Sequence, residues 1–224
     1  MRRMRTFSWS RTFSWSRAVA IGSLIGTPCA AQVRGGDDIF ARRDEWQRVP
    51  DMIASLGDVK GKRIADIAAG KGYLTKHLAK AVGPSGHVYA VEIGESELRA
   101  LTELSLSADF DRVEAVRGAE ADTHLPAGVD GAIILDSYHE LTNYQAILGS
   151  LFRSLKPGAA FVIVDNAPFR GWRTSTREFQ ASHHAIAPTF VEAELRAAGF
   201  QIARRDDAFI TQPVEQWLIV ARRP

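Results

Sequence analysis

The 224-residue sequence has a single cysteine, Cys29, so no disulfide can form within the chain. If a leader carrying that residue is removed, no thiol remains, a state that suits an oxidising or a reducing compartment equally. No apolar run approaches the roughly 20 residues needed to cross a bilayer. Acidic residues are absent from positions 1–31, which hold five arginines (Arg2, Arg3, Arg5, Arg11 and Arg17). Subtracting that charge from the overall +2 leaves −3 for residues 32–224. The body also has no basic run, so it offers no electrostatic footprint for nucleic acid. A hydrophobic content of 46% suits one globular core, and no second domain is visible.

The first 31 residues have the layout of a secretory signal. Arginines and two copies of Arg-Thr-Phe-Ser-Trp-Ser (Arg5–Ser10 and Arg11–Ser16) precede the apolar Ala18–Ile25, and Cys29-Ala30-Ala31 offers a cleavage site before Gln32. The expectation is a signal peptide over 1–31, a linker over 32–38 and one domain over 39–224. Export would make the protein periplasmic or secreted, with no stable membrane insertion after cleavage. A misassigned start would leave it cytoplasmic.

In the body, short apolar runs alternate with helical patterns. Trp46, Val49, Met52, Ile53 and Leu56 recur at helical spacing and predict one amphipathic helix ahead of the sheet. Ile64–Ile67, Val88–Ile93, Val113–Val116, Ala132–Leu135 and Phe161–Val164 read as strands. Tyr73–Ala81, Glu97–Leu106 and Tyr144–Leu155 read as helices between them. This alternation implies a parallel sheet covered on both faces. Near the end, Thr189 and Glu192 form a capping-box pattern opening a helix that Gly199 closes. The runs Phe200–Arg204 and Gln216–Ala221 lie too close together for a helical crossover, which predicts an antiparallel hairpin at that edge.

The sharpest motif is Ile64-Ala65-Asp66-Ile67-Ala68-Ala69-Gly70-Lys71-Gly72-Tyr73, a strand entering a glycine turn and then a helix. Such a turn lets a ligand approach the backbone at a helix N-terminus. A dinucleotide fingerprint would want a third glycine where Thr75 stands. The next strand ends in Glu92, twenty residues after Gly72, where a carboxylate can accept both hydrogen bonds of a ribose diol.

With these residues the chain resembles the class I S-adenosylmethionine (SAM)-dependent methyltransferases over roughly residues 40–222. The resemblance also draws on Ile133-Ile134-Leu135-Asp136, on Lys156-Pro157-Gly158-Ala159 and on the closing strand Trp217–Ala221. It implies an α/β fold of the Rossmann-like type: a doubly wound, seven-stranded, mostly parallel sheet whose last strand is antiparallel. It further implies SAM as methyl donor. Gly70 and Gly72 would give room beside the methionine and ribose parts, and Asp66 would support the loop or the amino group. Glu92 would hold the ribose hydroxyls, with Asp136 at the strand-four tip also on the cofactor side. The acid near adenine would be Glu120 or Asp122, because Gly118-Ala119 replaces the usual Gly-Asp. Ala68 stands where the family most often has its first glycine, and an alanine there calls for ordinary backbone angles.

The acceptor is not named by these motifs, and a small molecule is expected. SAM already activates its methyl group, so the protein need only align the acceptor and take a proton where required. His139 and Tyr138, just beyond strand four, are the candidate catalytic residues, with Asp136 three residues earlier placed to orient His139. His183 and His184 form a second histidine pair. Asp136, Asp165 and Asn166 resemble the ligand set of the metal-dependent catechol and caffeoyl-CoA O-methyltransferases, the alternative reading, although His139 replaces that group's lysine. A SAM-binding protein without catalysis is a further alternative. The insertion Ala167–Ser182, with Phe169, Arg170, Trp172, Arg173 and Phe179, is expected to shape an acceptor pocket or lid. Export fits poorly with a donor made in the cytoplasm.

Overall fold

The computed structural model describes residues 42–224, so the expected signal peptide and linker lie outside the described residues. The chain begins with two short helices, α1 (Arg43–Trp46) and α2 (Val49–Ser55). One continuous helix was expected here. Pro50 lacks the N–H that would continue the ladder, and Arg48 breaks it with a left-handed φ of 53°.

The sheet and its covering helices follow in alternation. They are β1 (Arg63–Ile67), α3 (Tyr73–Val82), β2 (His87–Glu92), α4 (Glu95–Ser105), β3 (Val113–Arg117) and β4 (Val129–Leu135). Then come α5 (Tyr144–Ser154), β5 (Leu155–Asn166), the short α6 (Arg177–Ser182) and α7 (Pro188–Ala197). A hairpin of β6 (Gln201–Ile210) and β7 (Gln216–Arg222) closes the chain. Strand order is β3-β2-β1-β4-β5-β7-β6, and β7 runs antiparallel to both neighbours while the remaining pairs are parallel. The expected seven-stranded architecture is therefore present.

The central strands read as unbroken apolar runs because both sheet faces are covered. Successive residues feed opposite cores: Ala65, Val91, Ile134 and Phe161 enter one, and Ile64, Ala90, Ile133 and Val162 enter the other. Trp217 is fully buried and its indole N–H donates to the Ile186 carbonyl (2.7 Å), anchoring the reversed strand to the loop before α7.

Several boundaries differ from expectation, among them the starts of α7 and β5 and the end of β6, which runs to Ile210. Helix α7 starts at Pro188 with Ala187 as its cap residue and makes no side-chain capping bond. A proline at the first helical position is already preset for the helix, so Thr189 falls inside rather than before it. Gly199 does end the helix, with φ 96°. Strand β5 reaches back to Leu155, through a register shift against β4 between Val129 and Gly131.

The chain order reverses between β1 and β4. From β1 the sheet grows one way through β2 and β3, and from β4 the other way through β5. Loops leaving the C-terminal ends of these two strands diverge and leave a crevice where ligands bind in open parallel sheets.

Candidate functional site

On the β1–β2 side, the glycine turn is held by side chains from within the site. Ala68, Gly70 and Gly72 all have left-handed φ values, 55°, 55° and 85°. The ordinary angles expected for Ala68 are thus not observed, and the alanine adopts the glycine-like conformation itself. Gly70 has open space where a Cβ would stand, whereas a Cβ on Gly72 would meet Leu104 at 3.0 Å and Leu101 at 3.1 Å. Gly72 therefore lets α4 pack against the turn, and Gly70 leaves the free space.

Glu92 sits beneath the turn. Its Oε2 accepts from the Gly70 amide (2.9 Å), and its Oε1 accepts from the amides of Ile93 (2.7 Å) and Gly94 (3.1 Å). Two amides fill the acceptor sites of Oε1, and Oε2 keeps capacity for a ligand hydroxyl. Asp66 is buried and accepts from the Thr75 hydroxyl (2.6 Å). Thr75, standing where a dinucleotide site wants glycine, thus ties the start of α3 to β1. Burial pushes the Asp66 carboxyl up to about 7, against the lowering effect of the Thr75 bond.

A crevice beside this turn is lined by Ala68, Glu92, Ile93, Asp122 and Leu141, among others. Of the two acids proposed near adenine, Asp122 reaches this lining and Glu120 is solvent-exposed. One Asp122 oxygen is fixed by the His124 amide (2.8 Å) and the Ser150 hydroxyl (2.7 Å).

The β4–β5 side is organised differently from expectation. His139 lies in a short 3₁₀ turn, Tyr138–Glu140, and is buried. Its Nδ1 pairs with Asp165 Oδ1 (2.8 Å), and its backbone amide donates to Asp165 Oδ2 (2.8 Å). Asp165, not Asp136, orients the ring. Burial opposes charge on His139, but the Asp165 carboxylate, helped by Glu140 and Asp136, outweighs it and holds the imidazole above its ordinary 6.5. Nε2 is buried without a hydrogen-bond partner, and His139 lines a 240 Å³ cavity with Glu140, Asn166 and His184.

Asp136 (φ 57°) is engaged by the Arg43 guanidinium and the Gln216 amide. Burial raises it to about 6, although Arg43 pulls the other way. Gln216 also donates to Asn166 Oδ1 (3.0 Å). The oxygens of Asp136, Asp165 and Asn166 each accept from a protein donor. Asp136 likewise falls in the His139 cavity and is absent from the glycine-turn crevice. Tyr138 is fully buried in the core with its hydroxyl on Glu194 (2.8 Å), and burial moves its pKa well above the usual value. It lines neither cavity, so the structure places it as a packing residue rather than a catalytic one.

In the insertion, Trp172 packs edge-on with Phe169 and Phe179, while Arg170 and Arg173 line a separate 450 Å³ cavity against β6 and β7. Its aromatic residues pack on one another and line neither the crevice nor the His139 cavity.

Residues 58–199 match the family model described as a methyltransferase domain. The chain belongs to the methyltransferase domain family. It is 26% identical over 154 residues to a demethylmenaquinone methyltransferase of Listeria monocytogenes, covering 67% of this chain and 63% of the relative. It is 32% identical over 124 residues to the ubiquinone/menaquinone biosynthesis C-methyltransferase UbiE of Pasteurella multocida, covering 54% and 45%. The chain thus spans less than two thirds of the length of these relatives. A SAM-dependent methyltransferase from Aquifex aeolicus has the same fold, with a TM-score of 0.69 at 22% identity over 82% of this chain and 93% of that one. The [4+2]-cyclase SpnF shares the fold as well, with a TM-score of 0.63 at 17% identity over 79% and 81%.

The methyltransferase-matched segment contains the glycine turn, Glu92, Asp122, His139 and Asp165, but Arg43 and Gln216 lie outside it. Those two were missed from sequence because only tertiary docking brings them to Asp136. Asp165 was within reach: β4 and β5 pair with Leu135 beside Val164, which sets the next residues, Asp136 and Asp165, side by side.

Two tests address the turn. Folded Asp66 keeps its proton to a higher pH than the unfolded carboxyl, so the folded chain binds more protons between about pH 4 and 7 and loses stability as pH rises through that window. Asp66→Asn should flatten this part of the urea-unfolding profile relative to wild type; parallel profiles would show that Asp66 is not the cause. Ala68→Gly should raise the unfolding free energy by about 0.5–1 kcal/mol by relieving the left-handed alanine. A drop in stability would mean that the alanine methyl contributes more than its strain costs.

Proposed function

We propose that the protein binds SAM at the glycine-turn crevice and transfers its methyl group to a small-molecule acceptor at the neighbouring His139 cavity. The observation behind this reading is the turn Tyr138–Glu140. Leu141 lines the crevice and His139 and Glu140 line the cavity, so one short segment joins the two. The residues present fit the donor. Open space at Gly70 admits a ligand beside the backbone, Glu92 Oε2 accepts from the ribose, and Asp122 faces the adenine end. When bound, SAM supplies a methyl group already activated by its sulfonium.

On the acceptor side, Asp165 holds the Nδ1 proton and leaves Nε2 as the unpartnered nitrogen of a cavity-lining residue. The Nε2 lone pair accepts the proton of an acidic hydroxyl or carbon acid as the new bond forms. The relatives named for quinone substrates favour a planar, ionisable acceptor of that kind. The raised imidazole pKa makes His139 a stronger base and requires a higher pH to free it.

Residues 1–31 are proposed as an export signal on their arginines, apolar stretch and Ala30-Ala31 end. N-terminal sequencing of the protein from a fractionated native host should read Gln32 first; an intact Met1 in the cytosol would end that proposal. For the cofactor, Glu92→Ala should weaken SAM binding by about 2–4 kcal/mol in calorimetry, through loss of charge-assisted hydrogen bonds. Unchanged affinity would remove Glu92 from the site. For the base, His139→Ala should reduce turnover by about a hundredfold or more. The wild-type rate should rise with pH through a midpoint above 6.5, the ordinary histidine value. Full activity of that variant on an identified acceptor would leave His139 only a structural part of the turn.

A further inference from the structure

His139, Glu140 and His184 place one ligand atom each within 4.8 Å of one another. We propose that these three residues form a binding site for one divalent transition-metal ion, of zinc-like preference. The site is separate from the Asp136, Asp165 and Asn166 set, whose oxygens face protein donors.

The donor chemistry selects the ion class. Two imidazoles with one carboxylate suit zinc, cobalt or nickel far better than magnesium or calcium, which seek all-oxygen shells. Two histidines and a glutamate also leave a fourth tetrahedral position open. Bond lengths of about 2.0–2.1 Å put tetrahedral ligands roughly 3.4 Å apart. The Nε2 of His139 already lies 3.7 Å from Glu140 Oε1. Glu140 and His184 are exposed and line the same cavity as His139.

Independent features show that the site is built. The His139 side chain is 3% exposed, and its Nε2 is buried without a hydrogen-bond partner. Its other nitrogen is bonded to the fully buried Asp165, the outer-shell arrangement that fixes the tautomer of a metal-binding histidine and raises its basicity. His184 is set at a left-handed position (φ 55°) by its amide on the Ala181 carbonyl (3.1 Å) and by its own carbonyl, which accepts from Asn166 Nδ2 (3.2 Å). Its ring stands edge-on to His139, with centroids 5.6 Å apart.

The ion and the proton compete for one lone pair on His139. Loading the site therefore withdraws the base of the proposed transfer, which makes the ion an inhibitor of it. Ion binding itself does not depend on that reading.

The test is titration of the metal-stripped full-length chain with Zn²⁺ by calorimetry and with Co²⁺ by visible absorption. One equivalent should bind, with the intense d–d bands of a four-coordinate cobalt centre. His184→Ala, which lies outside the lining of the donor crevice, should weaken Zn²⁺ binding at least tenfold. Asp165→Asn should weaken it by about 10–100-fold through the outer shell. SAM calorimetry on His184→Ala, expected to match wild type, verifies that the variant is folded and separates this proposal from the cofactor reading. Absence of saturable Zn²⁺ and Co²⁺ binding, or equal affinity in a folded His184→Ala, would overturn the site.

Discussion

A carboxylate removed from water must be met by donors, and Asp165 at the end of β5 is the group whose satisfaction shapes the rest of the site. It is fully buried and accepts from the His139 amide, the His139 ring and the Asn166 amide. Leaving such a group unpaired would cost several kcal/mol, so the chain after β4 is drawn into the 3₁₀ turn that delivers both His139 donors. That turn then sets Leu141 against the glycine-turn crevice. A single buried charge thus fixes the tautomer of the histidine, the path of the backbone and the wall between two cavities.

The two sides of the switch point use acids in opposite ways. On the β1–β2 side, Glu92 is met by backbone amides of the turn it supports, an arrangement built from short-range chain geometry. On the β4–β5 side, Asp136 is met by Arg43 and Gln216, from the first and last described elements. The guanidinium of Arg43 also lies 4.5 Å from the centroid of the Tyr73 ring at the start of α3, which links the N-terminal helix to both sides.

What was legible in the sequence follows the same division. Alternating apolar runs and the Asp66–Gly72 turn are local patterns, and they led to the covered parallel sheet and to the turn at a helix N-terminus. Glu92 was legible because its distance from Gly72 is set by one helix and one strand. Ala68 misled because backbone angles follow the turn as a whole, and the turn overrides the preference of one residue. Thr189 misled because Pro188 was the stronger start signal for α7. The partner of His139 was misassigned to Asp136, three residues away in sequence, because the competing partners of Asp136 lie 93 and 80 residues distant. Tyr138 sits beside a site residue in sequence, yet the 3₁₀ turn sends it the other way, into the core.

Those long-range partners also impose an order of assembly. Gln47 bonds Gln216 across 169 residues, and Gln216 in turn reaches Asp136. A chain emerging from the ribosome can pair β1 to β3 and shape the glycine turn while β7 is still unsynthesised. The His139 cavity lacks a wall until β7 has inserted between β5 and β6 and α1 has docked across it. Contacts of this sequence separation form late, after the entropic cost of closing the largest loop. The glycine turn is therefore an early product of folding, and the His139 cavity is its last.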